Sequence, residues 1–166
     1  MLVDGLRHLG LRPVLVGGMA LVVLGSRRVT RDFDFLVKQP GACLEDLVRL
    51  FYGLGLELAS RLNENGDVVA TIAARRVATT RLRLDAPDSA FFLDRETGLR
   101  VDLLFDFPAS ADEIAGNATR VTIRSHRLDV ASATDLLRLK RIARKTRSLP
   151  GDAEDIAFLE RLTNTH

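Results

Sequence analysis

One stretch constrains the fold of this chain more than any other: VGGMALVVLGSRRVTRDFDFLV, residues 16 to 37. Its glycine pair, Gly17-Gly18, follows a short apolar segment that predicts a buried strand and precedes a segment that predicts a helix ending near Gly25. Glycines at a strand-to-helix turn let the backbone approach a ligand closely, and the free N–H groups of a helix N-terminus attract anions. The turn is therefore a candidate phosphate site, although the same pattern also marks an ordinary tight turn.

The end of the same stretch alternates between acidic and apolar residues, as a half-buried strand does. Asp32 and Asp34 fall on one face of this predicted strand, and Phe33, Phe35 and Val37 fall on the other. Carboxylates about 7 Å apart along a strand repel one another unless a cation neutralises them. Since Mg²⁺ binds one or two carboxylates together with substrate phosphates, the pair predicts a metal site. The simpler alternative is an exposed polar face.

A third carboxylate, Asp102, lies on the polar side of another predicted strand. The apolar residues of segment 99–105 share one face, and a hairpin turning at Thr97-Gly98 joins this segment to residues 91–93. Together with the aspartate pair, Asp102 would complete a three-carboxylate site that holds metal ions and activates an attacking hydroxyl. By itself, Asp102 is also explained as the solvent side of an amphipathic strand.

The remaining patterns predict an α+β domain in which helices cover a single mixed sheet. Apolar spacing predicts helices near residues 2–9, 44–52, 109–115, 133–146 and 152–162, and strands near 67–74 and 79–84 with a last strand at 121–124. We expect one domain, 1–166, with a core of residues 1–124 and a C-terminal helical segment of residues 131–163. A chain of 166 residues, 46% of them hydrophobic, is of the size that builds one such core.

Composition and motif content argue against several classes of protein. A single cysteine and three scattered histidines predict neither an intramolecular disulfide nor a zinc cluster. No apolar run approaches the roughly 20 residues of a membrane span, so we expect a cytoplasmic protein with no membrane partner. The Gly-x-x-x-x-Gly-Lys motif of P-loop enzymes is absent from the sequence.

The order of these motifs resembles that of the nucleotidyltransferases of the DNA polymerase beta superfamily. Those proteins carry a hydrophobic residue before Gly-Gly or Gly-Ser, then an Asp-x-Asp or Asp-x-Glu pair, and later a third carboxylate between hydrophobic residues. The matching segments of this sequence are Val16-Gly17-Gly18, Asp32-Phe33-Asp34 and Val101-Asp102-Leu103. All three parts of the superfamily pattern are present in the same order.

Two further motifs make the chain similar to the small bacterial nucleotidyltransferases of abortive-infection and type IV toxin-antitoxin systems. Arg-x-Thr before the aspartate pair, here Arg28 and Thr30, is common in those proteins. They also carry a helix with an Asp-Leu-x-x-x-Lys core, whose lysine here is Lys140. Their last motif is matched by Arg147, Asp152 and Asp155. Gly151 departs from the pattern, because the family usually has lysine there.

The resemblance implies a fold, an activity and a set of site residues. The implied fold is the nucleotidyltransferase (polymerase beta-like) fold, with a mixed central sheet and a C-terminal helical pair. The implied activity is transfer of a nucleoside monophosphate from an NTP, such as ATP, to a hydroxyl of RNA or tRNA, a protein or a small molecule. The metal sites, for two Mg²⁺ or Mn²⁺ ions, would be Asp32, Asp34 and Asp102. The nucleotide would contact Gly17, Gly18, Arg28, Thr30 and Lys140, with Arg147, Asp152 and Asp155 as further candidates. A toxin role and an antitoxin partner are implied by the resemblance alone.

Two other interpretations stay open at the level of the sequence. Gly151 and the basic residues of the predicted helix 133–146 are compatible with a non-catalytic nucleotide- or RNA-binding module on the same fold. A glycosyltransferase that holds its metal through Asp-x-Asp fits poorly with so short a chain and leaves Gly17-Gly18 unexplained. Locally, Lys140 also fits an exposed helix face, and Asp152 and Asp155 also fit as acidic residues at a helix N-terminus.

Overall fold

The computed structural model describes residues 2–146 and 149–165, which form eight strands and seven α-helices. The strands are β1 (Val14–Val16), β2 (Phe33–Val37), β3 (Glu57–Leu62), β4 (Val68–Thr71), β5 (Ser89–Leu93), β6 (Arg100–Phe105), β7 (Thr119–Ile123) and β8 (His126–Val130). The helices are α1 (Leu2–His8), α2 (Gly17–Val23), α3 (Leu44–Gly53), α4 (Arg75–Asp85), α5 (Ala111–Gly116), α6 (Ala133–Thr146) and α7 (Asp152–Asn164).

The strands form one mixed sheet in the order β4-β3-β5-β6-β2-β1-β8-β7. β2 runs parallel to β6, β1 runs parallel to β8, and the other neighbouring pairs are antiparallel. The two parallel pairs bring together strands that are far apart in the sequence. The α+β class and the single mixed sheet predicted from the sequence are confirmed.

The apolar sides of the central strands are buried. Leu103 and Phe105 of β6 are at most 3% exposed, and in the adjacent β5 the Phe92 ring lies with its centroid 4.2 Å from that of Phe51 in α3. Leu47, one turn before Phe51, is fully buried as well. Burial of an aliphatic or aromatic side chain contributes about 1.5–3 kcal/mol, so this packing fixes the sheet against α3.

One predicted strand is wrong, because residues 79–84 belong to helix α4. Leu82 and Leu84 alternate with arginines, which is the pattern of a half-buried strand. In the helix, Ala78, Thr79 and Leu82 form a buried face on the helix that packs with α3, whereas Leu84 is 80% exposed. Packing against α3 therefore decides the conformation of a segment whose local pattern favours a strand.

Two strands were not predicted at all, β3 and β8, so the predicted strand at 121–124 is not the last one. β8 lies beyond residue 124 and completes the sheet beside β1. Its pattern is obscured by the charged Asp129, which is only 3% exposed. The carboxylate of Asp129 accepts hydrogen bonds from Arg12 at 3.2 Å and from Arg120 at 3.1 Å. These partners lie on other segments, so a local window cannot show that Asp129 tolerates burial.

The predicted C-terminal helical pair is present, with α6 packed against α7. None of the helices in residues 2–146 and 149–165 has the length and apolar character needed to cross a membrane.

Candidate active site

Two carboxylates face each other at the centre of the sheet. Asp34 of β2 is paired in register with Asp102 of β6, and side chains paired in register point to the same face of a sheet. Asp102 is 8% exposed, so it does not lie on the solvent side of an amphipathic strand. The predicted strand begins at Asp32, whereas β2 begins one residue later, at Phe33. Asp32 therefore lies directly before the strand. The sheet thus brings Asp102 to the aspartate pair.

Burial and mutual repulsion change the acidity of this carboxylate pair. Desolvation is the main cause that raises the pKa of Asp34 to about 7, and the charges of Asp102 and Asp32 and a hydrogen bond with Asp102 add to it. Burial also raises the pKa of Asp102, although hydrogen bonds and the charge of Arg100 offset part of this effect. Without a bound cation, the facing carboxyl groups therefore retain a proton between them up to about neutral pH.

Arg100 is the cation in contact with this pair, and it is not among the site residues predicted from the sequence. Its Nε donates to Asp102 Oδ1 at 2.8 Å, and its Nη2 donates to Asp102 Oδ2 at 3.1 Å. Its Nη1 donates to the carbonyl of Gly66 at 2.5 Å, and its Cζ lies 4.8 Å from the centroid of the Phe91 ring. The signal was available, because residues two apart on one strand share a face.

The glycine turn lies directly against the acid site. Val16, the last residue of β1, is paired in register with Asp34, and Gly17 follows with a φ of +67°. A Cβ on Gly17 would collide with Asp34 Oδ2 and would lie 2.9 Å from its Cγ. A Cβ on Gly18 would lie 2.9 Å from Nε of Arg28. Both glycines therefore make room for site side chains, and the predicted strand-to-helix turn is confirmed with α2 beginning at Gly17.

The C-terminal helices reach the same region through a cluster of ion pairs. Lys140 Nζ lies 2.9 Å from Asp152 Oδ1 and 3.0 Å from Asp155 Oδ2, and the guanidinium of Arg28 also contacts Asp155. Asp152 and Asp155 are 6% and 5% exposed. Despite desolvation, the N–H of Leu149 and the ammonium of Lys140 hold the pKa of Asp152 below its usual value. Lys140 is thus not on an exposed helix face, and the cluster joins the segment before β2 to α6 and α7.

One other predicted site residue, Thr30, has a local role, the departure at Gly151 has a backbone explanation, and Arg147 cannot be placed. The Oγ1 of Thr30 accepts a hydrogen bond from the N–H of Asp32 at 3.4 Å, which helps to orient the start of β2. Gly151 precedes α7 as its N-cap with a φ of +87°, a left-handed conformation that favours glycine over a residue with a side chain such as lysine. Arg147 lies outside the described residues.

The basic residues of α6 are largely paired within the protein. Besides Lys140, Arg138 Nη1 donates to Glu113 at 2.8 Å, and Arg141 Nη2 donates to Glu160 at 2.8 Å. These pairs neutralise much of the positive charge that made α6 a candidate RNA surface.

The donor set can be compared with what a metal ion requires. In the part of the chain that the structure describes, no three acidic, histidine or cysteine side chains are arranged as they stand to hold an ion. Asp34 and Asp102 nevertheless face each other in register, and the charge of Asp32 acts on both. Carboxylate oxygens are the ligands that Mg²⁺ prefers. The chemistry of the donors fits a divalent cation, and Arg100 engages both oxygens of one of them.

No family model matches the chain, and no curated protein sequence matches it. Several solved structures are similar to this chain in fold. The lincosamide antibiotic adenylyltransferase LnuA, with lincomycin bound, is 13% identical with a TM-score of 0.56 over 95% of this chain and 91% of its own. The antibiotic-resistance factor ANT(2'')-Ia is 12% identical with a TM-score of 0.56 over 95% of this chain and 78% of its own.

An antigenic nucleotidyltransferase-like protein from Paracoccidioides brasiliensis is 16% identical, with a TM-score of 0.61 over 97% of this chain and 72% of its own. At these identities the similarity establishes the fold. The nucleotidyltransferase (polymerase beta-like) fold predicted from the motifs is therefore confirmed.

Proposed function

We propose that this protein is a metal-dependent nucleotidyltransferase that moves a nucleoside monophosphate from an NTP to a hydroxyl acceptor. The observation that supports this best is the pairing of Asp34 with Asp102 directly beside Gly17, at the turn from a strand into a helix. Binding alone does not require buried carboxylates beside a phosphate site, because they repel an anion. A divalent cation between acid and phosphate removes that conflict.

Each part of the site has a role in this proposal. Asp32, Asp34 and Asp102 would hold Mg²⁺ or Mn²⁺ ions. When bound, these ions lower the pKa of the attacking hydroxyl and neutralise charge on the phosphates. The backbone of Gly17 and Gly18 would accept the phosphates at the start of α2. Thr30 supports Asp32 by accepting a hydrogen bond from its N–H.

Arg28 is the cation best placed to contact the nucleotide. Its side chain lies over Gly18, and its guanidinium reaches Asp155. Lys140, Asp152 and Asp155 would then act first as a framework that holds Arg28 beside the glycine turn. Direct contact of Lys140 with the triphosphate would require it to leave two carboxylates within 3.0 Å. Arg28 therefore takes precedence over Lys140 as the phosphate ligand in this proposal.

The acceptor is a small molecule, an RNA such as tRNA, or a protein. Two structures of similar fold are named as an antibiotic adenylyltransferase and an antibiotic-resistance factor. A cavity of about 680 Å³ lies between the segment before β2 and α7, lined in part by Arg28, Asp155 and Phe158. These observations favour a small hydroxyl-bearing molecule as the first acceptor to test. A toxin role with an antitoxin partner rests on the sequence resemblance, and growth arrest on expression of the active protein would support it.

A non-catalytic nucleotide-binding module is the second candidate. The engagement of Asp102 by Arg100 favours it, because a guanidinium already neutralises one of the three acids. The paired cations of α6 weaken the RNA-binding form of this candidate. The two candidates differ in whether label is transferred.

The test is transfer of label from each of four NTPs labelled at the α-phosphate, with Mg²⁺ or Mn²⁺. The acceptors are total RNA, a protein lysate and small hydroxyl compounds including a lincosamide. The natural protein is compared with the double variant Asp32→Ala plus Asp34→Ala. A matched control replaces two exposed acids, Asp46→Ala plus Asp112→Ala, whose side chains are 57% and 68% exposed.

We expect the natural protein and the matched control to transfer label and the site variant not to. Equal labelling by the site variant and the natural protein would refute the proposal. NTP binding without any transfer would establish the binding module instead.

A further inference from the structure

Resting on the proposed function, we propose that Arg100 is an internal cation that occupies Asp102 until a divalent metal ion replaces it. Metal binding and the contact between Arg100 and Asp102 would therefore exclude one another. The acid site would alternate between a form closed by the guanidinium and a form that is open to the metal.

The contact uses the full hydrogen-bonding capacity of one edge of the carboxylate. Nε and Nη2 of Arg100 reach the two oxygens of Asp102 at 2.8 and 3.1 Å, which is the bidentate geometry that a planar guanidinium forms with a carboxylate. A metal ion approaching Asp102 from the same edge would meet the positive charge of Arg100.

The surroundings of Arg100 favour exchange rather than a permanent ion pair. Its third nitrogen, Nη1, donates to the carbonyl of Gly66 in the turn between β3 and β4. Its guanidinium carbon lies 4.8 Å from the centroid of the Phe91 ring, a cation–π contact. Two anchors therefore remain when Asp102 is released, so the side chain needs only a small displacement.

A purely supporting role for Arg100 makes the opposite prediction. If Arg100 served only to orient Asp102 for the metal, its removal would weaken metal binding. If Arg100 competes with the metal, its removal strengthens metal binding. The sign of the change in metal affinity therefore separates the two roles without any measurement of catalysis.

The experiment is a titration of the protein with Mn²⁺ at one fixed pH. The concentration of free Mn²⁺ is measured at each step by electron paramagnetic resonance. The variants are Arg100→Gln, Arg100→Lys and Asp32→Asn. The matched control is Arg12→Gln, which removes an arginine from the ion pair of another buried aspartate, Asp129, outside the site. Circular dichroism establishes that each variant is folded.

We expect Arg100→Gln to bind Mn²⁺ about tenfold more tightly than the natural protein, since a hydrogen bond between charged groups is lost from the competing state. Arg100→Lys keeps the positive charge but cannot form two parallel hydrogen bonds with the carboxylate. Its Mn²⁺ affinity should lie between those of Arg100→Gln and the natural protein. Arg12→Gln should bind Mn²⁺ as the natural protein does. Unchanged or weaker binding by Arg100→Gln would overturn the role of Arg100.

A measurement on the natural protein covers the case in which Arg100→Gln does not fold. The Nε–H resonance of Arg100 is assigned by its loss in Arg100→Lys, and Mg²⁺ is then added. We expect this resonance to shift as its bond to Asp102 is released, and no shift at saturating Mg²⁺ would overturn the proposal. Loss of Mn²⁺ binding in Asp32→Asn supports the metal site whatever Arg100 does. Absence of Mn²⁺ binding by every protein would refute the metal dependence of the proposed function.

Discussion

Replacement of Asp34 by asparagine should stabilise the protein at neutral and alkaline pH while abolishing its proposed activity. Asparagine has nearly the same shape and resembles the protonated carboxyl group. It therefore removes the partly buried negative charge and keeps a hydrogen-bonding side chain next to Asp102. The substitution therefore tests whether the acid pair is held together against electrostatic repulsion.

The magnitude follows from the raised pKa. The pKa of Asp34 moves from 3.8 to about 7 on folding, and one unit corresponds to about 1.4 kcal/mol, which gives an upper limit of about 4 kcal/mol. The folded state holds this proton more tightly than the unfolded state. Stability is therefore lost as the pH rises from about 4 to about 7 and stays low above that range. We expect Asp34→Asn to be more stable by about 2–4 kcal/mol at about pH 8 and to differ little near pH 4.

The assay is urea unfolding in EDTA, which removes any cation that would neutralise the pair. Asp129→Asn is the matched control, because hydrogen bonds from Arg120 and Arg12 hold the pKa of Asp129 below its usual value despite desolvation. The same chemical change should therefore destabilise the protein at alkaline pH. If Asp34→Asn were no more stable than the natural protein at about pH 8, or if its effect did not depend on pH, the electrostatic account of the pair would be wrong.

Three further substitutions test other parts of the structure by the same unfolding measurement. Gly17→Ala should lower the free energy of unfolding by at least about 2 kcal/mol, because it combines a left-handed backbone with a collision against the acid site. Gly98→Ala, at a φ of +76° with open space around it, should lower it by only about 1 kcal/mol. Equal losses would contradict the predicted collision. Lys140→Met should lower the free energy of unfolding by about 3 kcal/mol, because it leaves two buried carboxylates without their shared cation. Arg138→Met, at an exposed pair, should change the free energy of unfolding little. Similar effects at both positions would refute the importance of burial. Tyr52→Phe should lower the free energy of unfolding by about 1–2 kcal/mol, because the hydroxyl donates to the carbonyl of Ile72 and accepts from the N–H of Leu58. An unchanged free energy of unfolding would show that water replaces both hydrogen bonds.

The features predicted most accurately from the sequence are those fixed by short-range patterns. Alternation identified β2 and β6, and the helical spacing of residues 133–146 matches α6 from end to end. The alternation of residues 99–105 also predicted correctly that Asp102 lies on the opposite face of β6 from Val101 and Leu103. The motif order of a known superfamily implied that Asp102 joins the aspartate pair. No local pattern could establish the parallel pairing of β2 with β6 that makes Asp34 and Asp102 partners.

The features that could not be predicted depend on partners far away in the sequence. Asp129 is compatible with a buried strand only because Arg12 and Arg120 reach it. The resemblance assigned Lys140 to the nucleotide, whereas packing of α6 against α7 pairs it with Asp152 and Asp155. A buried cation and its counter-ions are chosen by tertiary packing, and sequence spacing on one helix does not reveal them.

The position of β1 between β2 and β8 has a consequence for the synthesis of the chain. β2 and β6 are both complete once residue 105 has left the ribosome, so the acid pair can form on the nascent chain. β1 keeps one open edge until residues 126–130 emerge and β8 pairs with it. An unpaired strand edge is a site for wrong association, and Val14–Val16 is entirely apolar. The strand that leads into the glycine turn is therefore the part of the sheet that most needs protection during translation.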